Sequence, residues 1–394
     1  MAGSIVIVGA GEFGLTAALE LRARGWSVTV LDQGSIPHPD AASTDVNKVV
    51  RSDYGADAIY TEMGEAAIAG WHRWNEIFGT PLYHEDGFLV MTTEAMKPGA
   101  FEHESFAFQS ARGHTLPRRG SKDLRREHPL WNSDRYVDGY LNPLGGWAES
   151  ARTIAVLAEH ARTLGVAIVE QAAFAALNDH CVRNRDGRQW HADIVLMATG
   201  AWTPALLPHL HDAMWSTGQT MMQFQPDDPA RFRAPSFPVW AADIGRTGWY
   251  GFPANADGIV KVANHGVGVP VNPTEARVVP ADAEQVFRRF LRGTFPALAD
   301  APLAASRLCL YCDTFDGDFW IDHDSTYAGL VVAAGDSGHA FKFAPVLGGI
   351  IADVVEGKAN RWAQRFRSRP RSAAAREGAR ASAESDSTSE DHDH

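Results

Sequence analysis

The sequence predicts two kinds of domain: an α/β domain with a parallel sheet, and an α+β domain built mostly from antiparallel strands. Three observations support this prediction. A βαβ unit opens the chain, two later buried strands each run into a glycine turn, and the segments between them contain short strands and turn residues. Because the α/β elements are spread along the chain, we expect that domain to be discontinuous.

The opening βαβ unit, SIVIVGAGEFGLTAALELRARGWSVTVLD, predicts a Rossmann-like dinucleotide site. Gly9 permits a tight turn after the first strand, Gly11 lets the backbone approach a pyrophosphate, and Gly14 lets the helix pack closely on the strand. The helix N-terminus presents amides to the phosphate charge. Asp32 ends the second strand, where it is placed to accept hydrogen bonds from a ribose diol. The motif by itself does not distinguish FAD from NAD.

Two later segments favour FAD. ADIVLMATGAW (192–202) is a buried strand that runs into Thr199 and Gly200, and GLVVAAGDSGHAFKFAPVLGGIIADVVEG (329–357) is a buried strand, a glycine turn and a helix. A flavin wrapped by one discontinuous domain needs contacts from the beginning, middle and end of the chain, whereas an NAD domain is usually contiguous. We therefore predict an FAD-binding domain formed by residues 1–81, 141–214 and 320–366.

The two remaining core segments, 82–140 and 215–319, predict a substrate domain. HEDGFLVMTT (84–93) carries the signal of a hairpin, and GWYGFP and GIVKVANHG contain short strands. We expect a mostly antiparallel β layer over the flavin. Residues 367–394 lack apolar periodicity and end in Asp-His-Asp-His, which predicts a disordered, solvated tail.

Composition excludes several classes of protein. The chain has 394 residues, 45% of them hydrophobic, and a formal net charge of −12, which argues against nucleic acid as a partner. No apolar run approaches the roughly 20 residues of a membrane span, and no signal peptide is visible. Three cysteines are too few for a disulfide framework. We expect a cytoplasmic protein, a monomer or small homo-oligomer, without a membrane partner.

The stretch RLCLYCDTFDGDFWID (307–322) contains Cys309 and Cys312. A Cys-x-x-Cys pair supplies half of a zinc site, and no second pair at ligand spacing appears elsewhere, so we predict no metal. The apolar run bounded by Asp-Gly predicts a strand that enters a turn, which differs from the helix start of a thioredoxin motif. The two thiols are either both structural, or one of them has a chemical role.

Four segments carry a family resemblance: DVNKVVRSDYG (45–55), WYGFPANADGIVKVANH (249–265), the cysteine-containing stretch, and GDSGHAFKFAP (335–345). Together they resemble the sarcosine oxidase and fructosyl-amino-acid oxidase branch of the D-amino-acid-oxidase-like flavoproteins, to about residue 360. The resemblance implies an FAD-dependent oxidase of the secondary amine of an N-substituted amino acid. Its products would be an imine, which water hydrolyses, and H2O2. Sarcosine-like, fructosyl-like and cyclic imino-acid substrates all remain open.

The resemblance also implies roles for individual residues. Cys309 would form a thioether to the 8α-methyl group of the flavin, while Cys312, on the opposite face of the strand, would be a core thiol. Arg51 and Lys342 would grip the substrate carboxylate. Lys261 would activate O2, because a fixed positive charge stabilises superoxide as it forms.

Further residues are expected around the flavin and the substrate. Lys48, His339 and His265 would line the site, and Tyr250 would shape the pocket, although His265 could equally be a core histidine. Ser337 and Gly338 would bring backbone amides to the flavin ring. The remaining predicted cofactor contacts come from the same segments: Lys48, Gly335, His339 and Lys342.

Two alternative functions give these motifs other roles. GDSGH resembles the nucleophile segment of chymotrypsin-like serine hydrolases, in which Ser337 would need an activating histidine. The second alternative is a flavin amine dehydrogenase with another electron acceptor, or a cofactor-binding protein without turnover. Lys261 is the sequence feature that separates an oxidase from these.

Overall fold

The computed structural model describes residues 3–178 and 180–371. Within them the strands are β1 Ser4–Val8, β2 Ser27–Leu31, β3 Lys48–Val50, β4 Tyr83–His84, β5 Phe88–Thr92, β6 Asp138–Asn142, β7 Gly146–Ala148, β8 Ala167–Val169, β9 Phe174–Asn178, β10 Cys181–Asn184, β11 Gln189–His191, β12 Ile194–Met197, β13 Met214–Phe224, β14 Val239–Ala242, β15 Trp249–Gly251, β16 Val260–Asn264, β17 Val269–Pro270, β18 Leu303–Thr314, β19 Trp320–His323 and β20 Leu330–Ala334. The helices are α1 Glu12–Ala23, α2 Ala58–Phe78, α3 Phe101–Ala111, α4 Ser121–Glu127, α5 Ser150–Thr163, α6 Thr203–Leu206, α7 Ile244–Thr247, α8 Ala283–Thr294, α9 Pro296–Ala299 and α10 Ala344–Val355.

A six-stranded sheet forms the centre of the α/β part. Its strand order is β19-β20-β12-β1-β2-β8, and every neighbouring pair is parallel except the edge pair β19–β20. Strands β1, β12 and β20 are almost wholly buried because helices and other segments of the protein pack on both faces of the sheet. The parallel sheet predicted from three separated segments is present, with strands from the beginning, middle and end of the chain.

The turn between β1 and α1 has the geometry that its glycines require. Gly9 has a φ of +106°, and a Cβ atom on Gly14 would lie 1.9 Å from the carbonyl oxygen of Gly9. Glycine at these two positions therefore lets α1 begin directly behind the turn and pack against it. As a result, the N-terminus of α1 points at the carboxyl edge of the sheet.

An eight-stranded sheet forms the second layer. Its order is β17-β13-β16-β15-β14-β5-β6, with β18 paired along β13, and all neighbouring pairs are antiparallel except β14–β5. Its core contains Trp240 and Phe295, against which α8 packs Phe287 and Leu291. The predicted, mostly antiparallel layer is therefore present. The strands in GWYGFP and GIVKVANHG are β15 and β16, which pair with each other.

The structure corrects the predicted hairpin in HEDGFLVMTT. β4 pairs with β7 in a separate three-stranded sheet, whereas β5 pairs with β6 and β14 in the eight-stranded sheet. The chain changes sheets at Gly87, whose φ is +90°. The turn residues do mark a change of chain direction. The strands that pair with β4 and β5 come from elsewhere in the chain, and local sequence does not specify such partners.

Two predicted boundaries also move. The boundary at residue 140 lies inside β6, which continues to Asn142. The start of the predicted tail is attached to the body of the protein, because the Arg369 guanidinium contacts the Asp316 carboxylate at 2.6 Å and the Ser368 amide donates to Asp322. The rest of the predicted tail, 372–394, lies outside the described residues. In the described part of the chain, no helix has the length and apolar character needed to cross a membrane.

Candidate active site

A deep cleft opens at the carboxyl edge of the parallel sheet, as the topology of an α/β fold predicts. It is lined by Gly9, Gly11, Asp32, Thr199 and Gly200. Asp32 lies at the end of β2, where its carboxylate accepts hydrogen bonds from the amides of Ala10 (2.8 Å) and Gly34 (3.0 Å). The cleft therefore brings together the predicted nucleotide residues from the first and middle segments.

The cleft has the features that a dinucleotide such as FAD requires. The N-terminus of α1 lines it through Gly11, Glu12 and Phe13, whose backbone amides would hold a diphosphate there. A Cβ atom on Gly9 would lie 2.3 Å from the carbonyl oxygen of Ala198, and one on Gly11 would lie 3.3 Å from Ser43 Oγ. A side chain at Gly9 would therefore clash with the backbone just after β12, and one at Gly11 would press against Ser43, which also lines the cleft. Gly14 packs behind the turn, and the residues present fit FAD.

Two buried carboxylates in this cleft were not predicted from the sequence. Burial raises the pKa of Glu12. Burial, and next the charge of Glu12, raises the pKa of Asp336 to about 7. Both residues lie within recognised glycine motifs, but their burial beside each other depends on how α1 meets the turn after β20.

A second cavity lies where the two layers meet. Its lining gathers six of the predicted catalytic residues with a set of aromatic side chains: Lys48, Arg51, Tyr250, His265, His339 and Lys342, with Phe88, Phe252, Tyr311 and Phe341. None of the described residues that line it is Asp or Glu. The arrangement favours a ligand that combines negative charge with apolar parts.

The two cations of the predicted carboxylate clamp meet at one aromatic side chain, Tyr54. The Arg51 guanidinium lies over the Tyr54 ring, with Cζ 4.5 Å from the ring centroid. The Lys342 ammonium donates to the Tyr54 hydroxyl at 2.9 Å and to the His339 carbonyl oxygen at 2.8 Å. Arg51 and Lys342 are 4% and 5% exposed, so both charges are held in a weakly solvated place.

Lys261 lies in a third, smaller cavity, which shares Lys48 and Tyr250 with the substrate cavity. It projects from β16, is 2% exposed, and contacts Asp45 Oδ2 at 2.5 Å. Lys48 reaches the same oxygen at 3.3 Å. Burial lowers the pKa of the Lys261 ammonium, and the Asp45 carboxylate offsets part of that effect. Asp45 was not predicted as a site residue, although it begins the motif that carries Lys48 and Arg51.

The two cysteines of β18 occupy different environments, as their spacing predicts. Cys309 lines the small cavity with Lys261, and its Sγ is 4.0 Å from Asp45 Oδ2. Cys312 is fully buried on the opposite face, with its Sγ 3.7 Å from the sulfur of Met214. Cys309 therefore lines a cavity, whereas Cys312 belongs to a hydrophobic core.

The GDSGH segment forms a strained turn rather than a nucleophile site. Ser337 has a φ of +43°, and its amide donates to the Cys312 carbonyl oxygen, while the Gly338 amide donates to Asp336. These amides, which we expected at the flavin ring, thus have acceptors within the protein. The Ser337 hydroxyl contacts Thr314 and the Gly335 carbonyl oxygen, whereas His339 contacts Tyr54 and Gly317. The serine–histidine contact that a hydrolase requires is replaced by these bonds.

Comparison with known proteins identifies the family. A family model described as FAD dependent oxidoreductase matches residues 4–354. The chain belongs to this family. This FAD-dependent oxidoreductase is 30% identical to L-saccharopine oxidase of Schizosaccharomyces pombe, with 91% of this chain and 90% of the relative covered. It is 23% identical to monomeric sarcosine oxidase of a Bacillus species, with 89% of this chain and 91% of the relative covered.

Solved structures extend the comparison to the fold. This FAD-dependent oxidoreductase resembles fructosyl amine:oxygen oxidoreductase (Amadoriase I) of Aspergillus fumigatus with a TM-score of 0.79 and 26% identity, over 93% of this chain and 90% of the other. The predicted family, its mixed α/β fold and the oxidoreductase class are therefore confirmed. The roles of the individual site residues stay predictions.

Proposed function

We propose that the protein oxidises the secondary amine of an N-substituted amino acid, with FAD as cofactor and O2 as electron acceptor. The observation that carries this proposal is the buried pair of cations, Arg51 and Lys342, in a cavity that aromatic side chains also line. A carboxylate is the substrate group that such a pair binds best, with a guanidinium fork and a point charge. The relatives named as oxidases of saccharopine and sarcosine support the same reaction class.

The reaction removes two electrons and two protons from the amine. The C–N single bond becomes an imine, FAD when bound accepts the electrons, and O2 with two protons becomes H2O2. Water then hydrolyses the imine to an amine and a carbonyl compound. In this proposal Arg51 and Lys342 hold the carboxylate, and the aromatic side chains around Tyr250 keep water from the reacting carbon.

Lys261 is proposed as the group that promotes electron transfer to O2. Its ammonium is buried in the small cavity that Cys309 also lines, and a buried positive charge stabilises a developing superoxide more than it would in water. Asp45 holds this charge in place through the contact at 2.5 Å. A flavin dehydrogenase, which passes electrons to another acceptor, would have no need of this buried cation.

Cys309 is proposed to tether the flavin through its 8α-methyl group. Its support is its position, since it lines the small cavity with Lys261 while Cys312 is packed on the other face of β18. A covalent attachment would fix the ring against the substrate and make it a better electron acceptor. The family match supports FAD itself; the covalent bond is part of the proposal.

The charge of the cavity predicts which of the possible substrates binds best. Three cations line the substrate cavity in the described residues, and Asp45 offsets part of the charge of only one of them, Lys48, so the cavity favours a substrate with more than one carboxylate. L-saccharopine, a secondary amine with three carboxylates, fits this charge better than sarcosine, which has one. The relative named as an L-saccharopine oxidase, at 30% identity, points the same way.

The test is a measurement of H2O2 release with four substrates: L-saccharopine, sarcosine, a fructosyl amino acid and L-pipecolate. We expect turnover of at least one, with saccharopine having the highest kcat/KM. Bleaching of the flavin without reoxidation by air, together with turnover of an artificial acceptor, would support a dehydrogenase instead. Absence of flavin reduction by all four would contradict the proposed reaction.

A further inference from the structure

The carboxylate clamp is organised around Tyr54, a residue that lies in the segment 45–55 and is 5% exposed. Its ring face carries the Arg51 guanidinium at 4.5 Å, and its hydroxyl accepts the hydrogen bond from Lys342 at 2.9 Å. The same hydroxyl lies 3.1 Å from His339 Nδ1. One side chain thus contacts both cations that are proposed to bind the substrate.

The hydrogen-bond directions around Tyr54 follow from the environment of His339. His339 Nε2 lies 2.9 Å from the Gly317 carbonyl oxygen, which can only accept, so Nε2 carries a hydrogen and donates it. In the neutral ring, Nδ1 is then an acceptor, and the Tyr54 hydroxyl donates to it. The lone pairs of the hydroxyl oxygen therefore face the Lys342 ammonium, which donates to them.

A second tyrosine holds the ring of Tyr54 from behind. Tyr60 stacks on Tyr54, with ring centroids 5.0 Å apart and planes 19° from parallel, and its own hydroxyl donates to Asp318 at 3.0 Å. Tyr60 is also buried, with 3% of its surface exposed. Within the described residues, neither Arg51 nor Lys342 is a hydrogen-bonding or ring partner of Tyr60. It therefore provides a matched control for the removal of a buried tyrosine hydroxyl.

We propose that Tyr54 is a positioning residue that sets the distance and direction between Arg51 and Lys342, and thereby gives the site its affinity for a carboxylate. This inference rests on the proposed function of the clamp. It adds that Tyr54 determines the geometry of the clamp. The Tyr54 ring fixes the guanidinium by stacking, and the hydroxyl fixes the ammonium by accepting its hydrogen bond. Loss of the hydroxyl leaves Arg51 stacked on the ring and removes a hydrogen bond that directs Lys342, which keeps its bond to the His339 carbonyl oxygen.

The test uses the FAD-loaded protein and acetate as a carboxylate that cannot be oxidised. Acetate is titrated against the visible absorbance of the flavin, with chloride at the same ionic strength as the control. We expect Tyr54→Phe to weaken acetate binding about 10-fold and Tyr60→Phe to change it less than 2-fold, with melting curves recorded for both variants. Because this measurement needs no turnover, it is separate from the test of the proposed reaction.

A double variant shows whether Tyr54 acts through Lys342. If it does, Tyr54→Phe combined with Lys342→Met binds acetate no more weakly than Lys342→Met alone. Additive losses in the double variant, equal losses in Tyr54→Phe and Tyr60→Phe, or no acetate-dependent change in the wild-type protein would each overturn the inference. In the last case, the carboxylate clamp itself would also be in question. Failure to oxidise any amine, with the acetate result as expected, would overturn only the proposed reaction.

Discussion

The Lys261 ammonium lies 2.5 Å from Asp45 Oδ2, and the two side chains are 3% and 2% exposed. The contact joins a strand of the substrate layer to the loop that precedes β3, which are 216 residues apart in the sequence. Burial raises the pKa of Asp45, but the charges of Lys261 and Lys48 outweigh it and hold that pKa well below its usual range. The carboxylate is therefore ionised and keeps the buried lysine in a defined position.

Asp45→Asn should destabilise the protein because it leaves Lys261 buried without its counter-charge. Breaking one side of a buried ion pair costs about 3–5 kcal/mol. We expect this loss in the free energy of unfolding from urea denaturation of the flavin-free protein. The double variant with Lys261→Met should recover part of it, because only Lys48, the less buried of the two lysines, then lacks the Asp45 carboxylate. If Asp45→Asn is as stable as the wild-type protein, the ion pair makes no net contribution.

Lys261→Met should impair the reaction with O2 more than the reaction with substrate. Negative charge develops on O2 only in the oxidative half-reaction, so only that step loses the stabilisation from the ammonium. In stopped-flow experiments we expect anaerobic flavin reduction within about 10-fold of the wild-type rate, and reoxidation slower by roughly 10²-fold or more. Equal slowing of both steps would contradict this role and indicate that Lys261 positions the flavin.

Arg51→Ala and Lys342→Ala should each raise KM for the best substrate found in the screen. Truncating one member of a buried charge pair costs about 2–5 kcal/mol, which corresponds to at least roughly 30-fold. Lys97→Ala, at an exposed lysine, serves as the control and should leave KM unchanged. If both clamp variants retain the wild-type KM, the substrate is bound without a gripped carboxylate.

Cys309→Ser should abolish covalent attachment of the flavin, and Cys312→Ser should preserve it. Residues three apart on a strand point to opposite faces, and only Cys309 lines the cavity beside Lys261. The intact mass of the wild-type protein should exceed the sequence mass by one FAD, and acid-precipitated protein should stay yellow. Complete release of flavin by acid would disprove the tether, while leaving FAD binding at Gly9 and Gly11 untouched.

The stability of the flavin-free protein should depend on pH through Asp336. Because the folded-state pKa, about 7, is above the usual value of about 4, the folded protein binds this proton more tightly than the unfolded chain does. The stabilising contribution is thus complete below about pH 4 and is lost as the pH rises to about 7.

The comparison is between unfolding free energies at pH 5 and pH 8. Between pH 5 and pH 8, we expect the free energy of unfolding to fall by about 2 kcal/mol more in the wild-type protein than in the Asp336→Asn variant. Asp227→Asn, at an exposed position, should follow the wild-type protein. Parallel pH profiles for the wild-type protein and Asp336→Asn would show that Asp336 does not titrate in this range.

Local patterns were enough to predict the opening βαβ unit. The period of the apolar residues and the glycine spacing specify the strand, the turn and the helix. Gly9 adopts a positive φ, and the Gly9 carbonyl oxygen lies so close to Gly14 that a Cβ atom there would clash with it. The opposite orientation of Cys309 and Cys312 also follows from the period of a strand. These features depend on residues that are close in sequence.

The pairing of β4 with β7 was decided by the tertiary structure, and the hairpin expected in HEDGFLVMTT was therefore wrong. Turn residues report that the chain changes direction, but they do not specify which distant strand completes the hydrogen bonds. The placement of Arg369 on Asp316 has the same origin, because a charge-rich segment has no local pattern that reveals a buried partner.

The sequence by itself determined which residue types the candidate site contains: Lys261, Arg51, Lys342 and Cys309 all belong to segments with a recognisable family pattern. Only the tertiary structure decided how they are held. Asp45 meets Lys261, and Tyr54 joins Arg51 to Lys342, through contacts between residues as far as 288 positions apart. Such contacts have no periodic signature, because charge pairing and stacking act through space after the two layers have packed.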